Sequence, residues 1–328
     1  MKILISGGAG YIGSHTLRQF LKTDHELCVL DNLSKGSKIA INDLQSIRDF
    51  KFFELDLSDF KEVKSLFERE KFDAIVHFAA SIEVFESTQN PVKYYMNNTV
   101  NTTNLIKTCI ETGVNKFIFS STAATYGEPQ TPVVSENSPL APINPYGRSK
   151  LMSEEVLKDA NKAHPEFKYC ILRYFNVAGA CMDFHIGQRY PKATLLIKVA
   201  AECAAKKREK MFIFGDDYDT KDGTCIRDYI HVDDISSAHL AALEYLQNHE
   251  SDIFNVGYGH GFSVKEVIES MKRVTGVDFK VELASRREGD PSVLISDAQK
   301  IRTLTSWQPK FDDLDLICKS AYDWEKQC

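Results

Sequence analysis

Residues 2–21, "KILISGGAGYIGSHTLRQFL", decide the fold. "KILIS" is a short apolar run that stops at glycines, and the stretch behind it carries Ile12, Thr16, Phe20 and Leu21 at helical spacing. The pattern predicts a strand, a tight turn and a helix. Gly7, Gly10 and Gly13 form G-x-x-G-x-x-G at that junction. Glycine there permits the turn and lets backbone N–H groups at the helix start approach a pyrophosphate.

The same rhythm repeats outward. "ELCVL", "FKFFELDL", "DAIVHFA", "KFIFSS" and "KYCILRYF" read as strands, and "SDFKEVKSLFERE" reads as an amphipathic helix capped by Ser58. "PVKYYMNNTVNTTNLIKTCIETG" reads as one long helix ended by its glycine. Strands alternating with helices pair in parallel through right-handed crossovers and have both sheet faces covered, which predicts an α/β fold with a doubly wound parallel sheet. After about residue 175 the rhythm loosens into loop-rich stretches, "GACMDFHIGQRYPKATLL" and "FGDDYDTKDGTC", expected to form a smaller substrate-binding lobe. "HVDDISSAHLAALEYLQN", with Asp233 as its cap, and "DIFNVG" look like a helix and strand returning to the sheet, so the two lobes interweave. The expected division is a dinucleotide domain over 1–175, joined again by 225–256, and a substrate domain over 176–328.

The chain has 328 residues, 43% hydrophobic, enough for a large core. Its 46 acidic and 40 basic residues give a net charge of −6 without a basic block, which argues against nucleic acid as a partner. The apolar start is too short for a signal peptide and no stretch reaches the roughly 20 apolar residues of a membrane span, so a cytoplasmic protein is expected. Eight scattered cysteines show no Cys-x-x-Cys and no histidine at ligand spacing. Reduced thiols and no metal site follow from that pattern.

Asp31 ends the second strand at the distance where a carboxylate accepts both ribose hydroxyls of adenosine. It also repels a 2′-phosphate, which favours NAD over NADP. His77 lies inside an apolar strand and reads as a packed core residue. "NPYGRSK", residues 144–150, puts Tyr146 one helical turn ahead of Lys150, with Asn144 suited to cap the helix and Pro145 to its first turn. Spacing alone is weak evidence, because about one Tyr-x-x-x-Lys is expected by chance and Tyr322 with Lys326 is another. Context separates the two pairs: only the first follows a strand-end cluster, Ser120 to Thr122. At an effective dielectric near 20, a cation about 6 Å from a phenolate contributes roughly 2.8 kcal/mol, or about two units off the phenol's pKa.

"GGAGYIGSHT", "LDNLSKG", "VHFAA", "YYMNN", "FSSTAATYGE", "NPYGRSKLMSE", "LRYFNVAGA", "FGDDYDTKDGTCIRDYIHV" and "RREGDPS" follow one another in the order of the extended short-chain dehydrogenase/reductases. Over nearly its whole length the chain resembles the UDP-galactose/UDP-N-acetylglucosamine 4-epimerase family among them. The resemblance implies a Rossmann domain binding NAD, with a UDP-sugar as substrate. It puts NAD against Tyr11, Ile12, Asp31, Asn32, Asp56, Leu57, Phe78, Ala79, Asn97, Ser120, Lys150 and Phe175. It puts the UDP-sugar against Thr122, Tyr146, Asn176, Phe214, Arg227, Arg287 and Asp290. Independently, guanidinium forks suit a diphosphate better than lysine does. Catalysis would fall to Tyr146, Lys150 and Thr122, passing the sugar through a 4-ketone.

Three positions depart from the family pattern. Leu195 replaces an asparagine or histidine, Ile82 replaces a lysine, and Leu294 stands where some members have tyrosine beside the sugar's C2 substituent. The smaller Leu294 leaves space for an N-acetyl group, so acetylated and plain UDP-hexoses are both expected as substrates. Thr122 is followed by Ala123 and Ala124, without the Asp-Glu pair of the nucleotide-sugar dehydratases. A net dehydrogenase and a catalytically silent NAD-binding regulator are the other readings. By resemblance, helices over 91–112 and 145–162 would form the four-helix contact of a homodimer.

Overall fold

The computed structural model describes residues 1–182, 186–190, 194–287 and 290–328. Seven parallel strands form the main sheet in the spatial order Asp252–Val256, Lys168–Tyr174, Lys116–Thr122, Ala74–His77, Lys2–Ser6, Glu26–Asp31, Lys51–Glu54. Strand order reverses between Lys2–Ser6 and Ala74–His77, and at such a switch point the loops at the carboxyl ends diverge and leave a crevice.

The strands are apolar throughout because both faces are covered. Ile3 and Ile5 join one core with Val29, Val76, Ile118 and Leu172, while Leu4 joins the opposite core with Leu30, Ile75, Phe117 and Phe119. Successive side chains point to opposite faces, so this run of buried residues serves two cores at once. Helices Tyr11–Phe20 and Val232–Tyr245 pack together on the first face, and Phe60–Glu70, Asn101–Thr112 and Pro145–Ala163 lie on the second.

The strand Asp252–Val256 pairs in register with Lys168–Tyr174, after the chain has passed through the smaller lobe. That lobe is built on short ladders. Val293–Ser296 lies between Ile226–Arg227 and Val133–Val134, and Lys280–Ala284 pairs with Lys210–Phe214. Helices Leu196–Ala204, Val264–Thr275 and Leu314–Gln327 pack on one another there. Among the described residues no helix is long and apolar enough to cross a membrane, no two cysteines form a disulfide, and no acidic, histidine or cysteine cluster could hold a metal.

Two caps differ from expectation. Asp59, not Ser58, accepts the Glu62 N–H at 3.2 Å, because Ser58 is held in the preceding turn by Asp56. The helix Val232–Tyr245 is capped by the His231 ring, whose Nδ1 accepts the Asp233 N–H at 3.1 Å, leaving Asp233 inside the first turn. The helix over 91–112 also holds a surprise. Its middle, Tyr95–Val100, is wound as a π-helix between Pro91–Tyr94 and Asn101–Thr112. Such a wide turn is rare and concentrates at functional sites.

Candidate active site

The cofactor half of the site begins at the glycine turn. Gly7 adopts φ +74°, and a Cβ there would lie 2.5 Å from the Ala79 amide nitrogen. A Cβ on Gly13 would lie 2.2 Å from the Gly7 carbonyl. Helix Tyr11–Phe20 thus sits hard against the turn, and Gly10 caps it without a side chain, so its first N–H groups face the crevice. Asp31 is buried there, accepting the Ala9 N–H at 3.0 Å and the Leu33 N–H at 2.8 Å. Burial pushes its carboxyl above the usual range, against those two bonds. Each oxygen keeps a lone pair for a ribose hydroxyl. Asp56 is set beside it, accepting from Asn32 at 2.5 Å and from the Ser58 amide at 2.8 Å.

One cavity of about 760 Å³ runs from this turn to the smaller lobe. Its walls bring together Gly7, Gly10, Tyr11, Ile12, Gly13, Asp31, Asn32, Asp56, Leu57, Phe78, Ala79, Asn97, Ser120, Lys150 and Phe175 on the dinucleotide side. Thr122, Tyr146, Asn176, Arg227, Asp290 and Leu294 line the other side. The glycine cradle, the uncapped helix end and the Asp31 carboxylate fit NAD. Phe214 and Arg287 lie outside these walls, the guanidinium stacked 3.8 Å from the phenyl centroid. Residues 288 and 289 of the "RREGD" stretch, and 191–193 before Leu195, fall outside the described residues. Ile82 and Leu195 both line the cavity and both are well exposed.

Where the two halves meet stand Thr122, Tyr146 and Lys150. Asn144 caps their helix by accepting the Gly147 N–H at 2.9 Å, and Pro145 fills its first turn. Tyr146 packs edge-on against Tyr94, ring centroids 6.4 Å apart, and bonds to the Thr122 hydroxyl. Lys150 is buried, donates to the Ser120 carbonyl at 2.8 Å and rides over the Phe119 ring. Burial lowers its pKa to about 7, opposed by the charge of Glu154. Burial also raises the Tyr146 phenol, with the Thr122 bond pulling it back. The expected two-unit acidification by lysine is therefore outweighed among the protein's own groups: desolvation disfavours both charges more than their spacing on the helix favours them.

His77 is a core residue, held between the Ser6 hydroxyl at 2.7 Å and the Thr102 hydroxyl at 2.8 Å. The π-helical turn supplies two asparagines. Asn97 reaches the cavity, and Asn98 clamps the Ser81 backbone and the Ser149 hydroxyl, tying the loop after the fourth strand to the Tyr146 helix. Sequence reading also missed a tether across the cavity mouth. Glu83 accepts from Lys35 at 2.7 Å and from the Tyr190 hydroxyl at 3.0 Å, and Lys35 also bonds that hydroxyl. These residues are far apart in the chain, and nothing in their local context marks them as neighbours.

A doubly wound sheet with a glycine cradle, an acidic strand end and a Thr, Tyr and Lys constellation defines a dinucleotide-dependent enzyme of the short-chain dehydrogenase/reductase type. The chain belongs to the NAD dependent epimerase/dehydratase family, whose model matches residues 3–257. It is 43% identical to the UDP-glucose 4-epimerase of Halalkalibacterium halodurans over 100% of this chain and 96% of that one. Among solved structures it is similar to the UDP-Glc/GlcNAc 4-epimerase of the human pathogen Campylobacter jejuni, with 86% identity, TM-score 0.89 and coverage of 100% and 99%. It also superposes on the UDP-glucose 4-epimerase of Bifidobacterium longum in complex with NAD+ and UDP, with 33% identity, TM-score 0.96 and coverage of 100% and 98%.

Proposed function

We propose that this protein is a UDP-hexose 4-epimerase, inverting C4 of UDP-glucose and UDP-galactose and of their N-acetylated counterparts. The observation that carries the reading is the convergence of Thr122, Tyr146 and Lys150 where the dinucleotide wall meets the wall containing Arg227 and Leu294. When bound, NAD supplies a reversible two-electron acceptor at its nicotinamide ring. Tyr146 takes the proton of the sugar 4-hydroxyl at its phenol oxygen as C4 gives up its hydrogen as hydride, and returns a proton to the same oxygen when the 4-ketone, turned over in the pocket, regains hydride on its opposite face. Thr122 holds the same sugar oxygen. Lys150 contributes positive charge that favours the phenolate, and Arg227, with Asn176, faces the nucleotide. The Arg227 guanidinium, at the cavity wall, donates to the Ile226 carbonyl at 2.9 Å and sits 3.7 Å from Asp290. The sugar leaves with no net oxidation.

Incubation with the four UDP-hexoses, with product 4-epimers separated chromatographically, tests this. Tyr146→Phe is expected to retain NAD and lose about 10²-fold or more in kcat. A near-normal rate in that variant would remove Tyr146 from the scheme. Steady accumulation of reduced cofactor would indicate a net dehydrogenase.

The working form is a homodimer in the cytoplasm. Val92, Met96 and Met152 are exposed apolar side chains on the helix pair over 91–112 and 145–163, with Phe85 exposed on the short helix Val84–Gln89 just before it, and a second copy would cover them. The absence of disulfides among the described residues suits a reducing compartment.

A further inference from the structure

Beneath the floor of the cavity lies a carboxylate that the proton transfers do not use. Glu154 is fully buried one helical turn beyond Lys150, on the same helix. Arg173 Nε donates to its two oxygens at 3.0 and 3.2 Å, Arg173 Nη2 donates to Oε2, and the Ser121 hydroxyl donates to Oε1. Arg173 Nη1 goes on to the Tyr126 hydroxyl at 3.2 Å, which donates to Asn255 at 2.6 Å. One carboxylate therefore joins three elements of the site. Ser121 neighbours Thr122, Arg173 lies two residues before Phe175, and the helix carries Tyr146 and Lys150.

A buried ion pair adds little net stability compared with apolar packing, so fold alone gives weak reason for it. Its position beside Lys150 gives a better one. Lys150 has Tyr146 one turn away on its own helix, the Ser120 carbonyl and the Phe119 ring on the strand Lys116–Thr122, and His77 on the next strand, while Tyr174 neighbours Ser120 and Tyr146. His239 stands behind Ser120 at 3.1 Å. Burial keeps His77 and His239 neutral in the physiological range and raises Tyr174. The charge that acts on Lys150 is that of Glu154.

We infer that Glu154 is a positioning residue of this site: it keeps the Lys150 ammonium charged inside the protein and locks the strands Lys116–Thr122 and Lys168–Tyr174 to the helix bearing Tyr146. The inference rests on the epimerase reading. Without Glu154, Lys150 gives up its proton at lower pH, and the phenol, deprived of that cation, ionises at higher pH. The bell-shaped pH profile of kcat should narrow from both sides.

The test compares holoenzymes of wild type, Glu154→Gln, Glu154→Asp and the double variant Glu154→Gln/Arg173→Gln, which leaves no uncompensated guanidinium. kcat is recorded across pH, with NAD content and UDP affinity measured alongside. Glu154→Gln and the double variant should lose about tenfold in kcat at neutral pH, with each limb displaced inward by about one pH unit and UDP affinity within threefold of wild type. Glu154→Asp should keep both limbs in place. A fall in amplitude with unmoved limbs, or failure of every variant to fold, would overturn the inference and leave Glu154 a purely structural role. If wild type itself does not epimerise, the functional reading fails instead.

Discussion

Tyr146 occupies a setting that works against its own ionisation. Its surroundings raise the phenol while drawing Lys150 down to about 7, so the pair depends on charge brought in from elsewhere to function near neutrality. At this scale Leu294, buried against Ala123, Tyr126 and Phe175 while keeping a face on the cavity, is the residue proposed to set the wall beside the sugar. Leu294→Tyr should cut turnover of the acetylated UDP-sugars about tenfold or more and spare the plain ones, because the added ring must take the space of an acetyl group. Equal losses for both classes would remove the gate. The Tyr, Lys and Thr trio could be found in the sequence because a strand end and a helix cap frame it locally. The resemblance puts Phe214 and Arg287 at the substrate as well; in the structure the Arg287 guanidinium stacks 3.8 Å from the Phe214 centroid beside the cavity lining. Glu154, inside the quoted "KLMSE" stretch, was readable as a letter but not as a charge facing Lys150.

Among elements, the helix pair at residues 91–112 and 145–163 does two things. Its inner side organises the site, through Asn98 on Ser149 and Thr99 on the Ser149 carbonyl. Its outer side leaves Val92 at 67% and Met96 at 55% exposure near the start of the first helix. Met96→Glu should convert a dimer to a monomer in light scattering, since the new carboxylate would be buried unpaired in an apolar contact. An unchanged mass, or a wild-type monomer, would locate the interface elsewhere or dispense with it. The helical period of this stretch was plain in the sequence, but the π-turn was not, because one extra residue per turn leaves a six-residue run indistinguishable from ordinary helix. The caps at Asp59 and His231 were missed for a related reason: several adjacent polar residues can accept the same amide, and packing selects among them.

For the molecule as a whole, acid should be the sensitive direction. His15 and His77 are lowered to about 3, and His231 and His239 to about 4, all by burial. In the unfolded chain they take up protons near 6.5, so the unfolded state binds more protons and stability falls as pH drops below that value. Asp233, raised to about 6, opposes this, as do the carboxyls of Asp31, Glu136, Asp228 and Asp234, which burial also raises. Urea midpoints should therefore decline between about pH 6.5 and 5. A flat or rising midpoint would mean that these rings are charged in the folded protein.

The parallel sheet was legible because its strands are uniformly apolar and separated by amphipathic helices. The strands of the smaller lobe were not, since at two to five residues they are too short to show a period. That lobe interrupts the chain between the sheet's last two strands, which sets an order of events during synthesis. Lys168–Tyr174 leaves the ribosome with one edge bare, and residues 175 to 251 must emerge before Asp252–Val256 can cover it. Until then the growing polypeptide carries an open apolar edge, so the nascent chain needs shielding at that step.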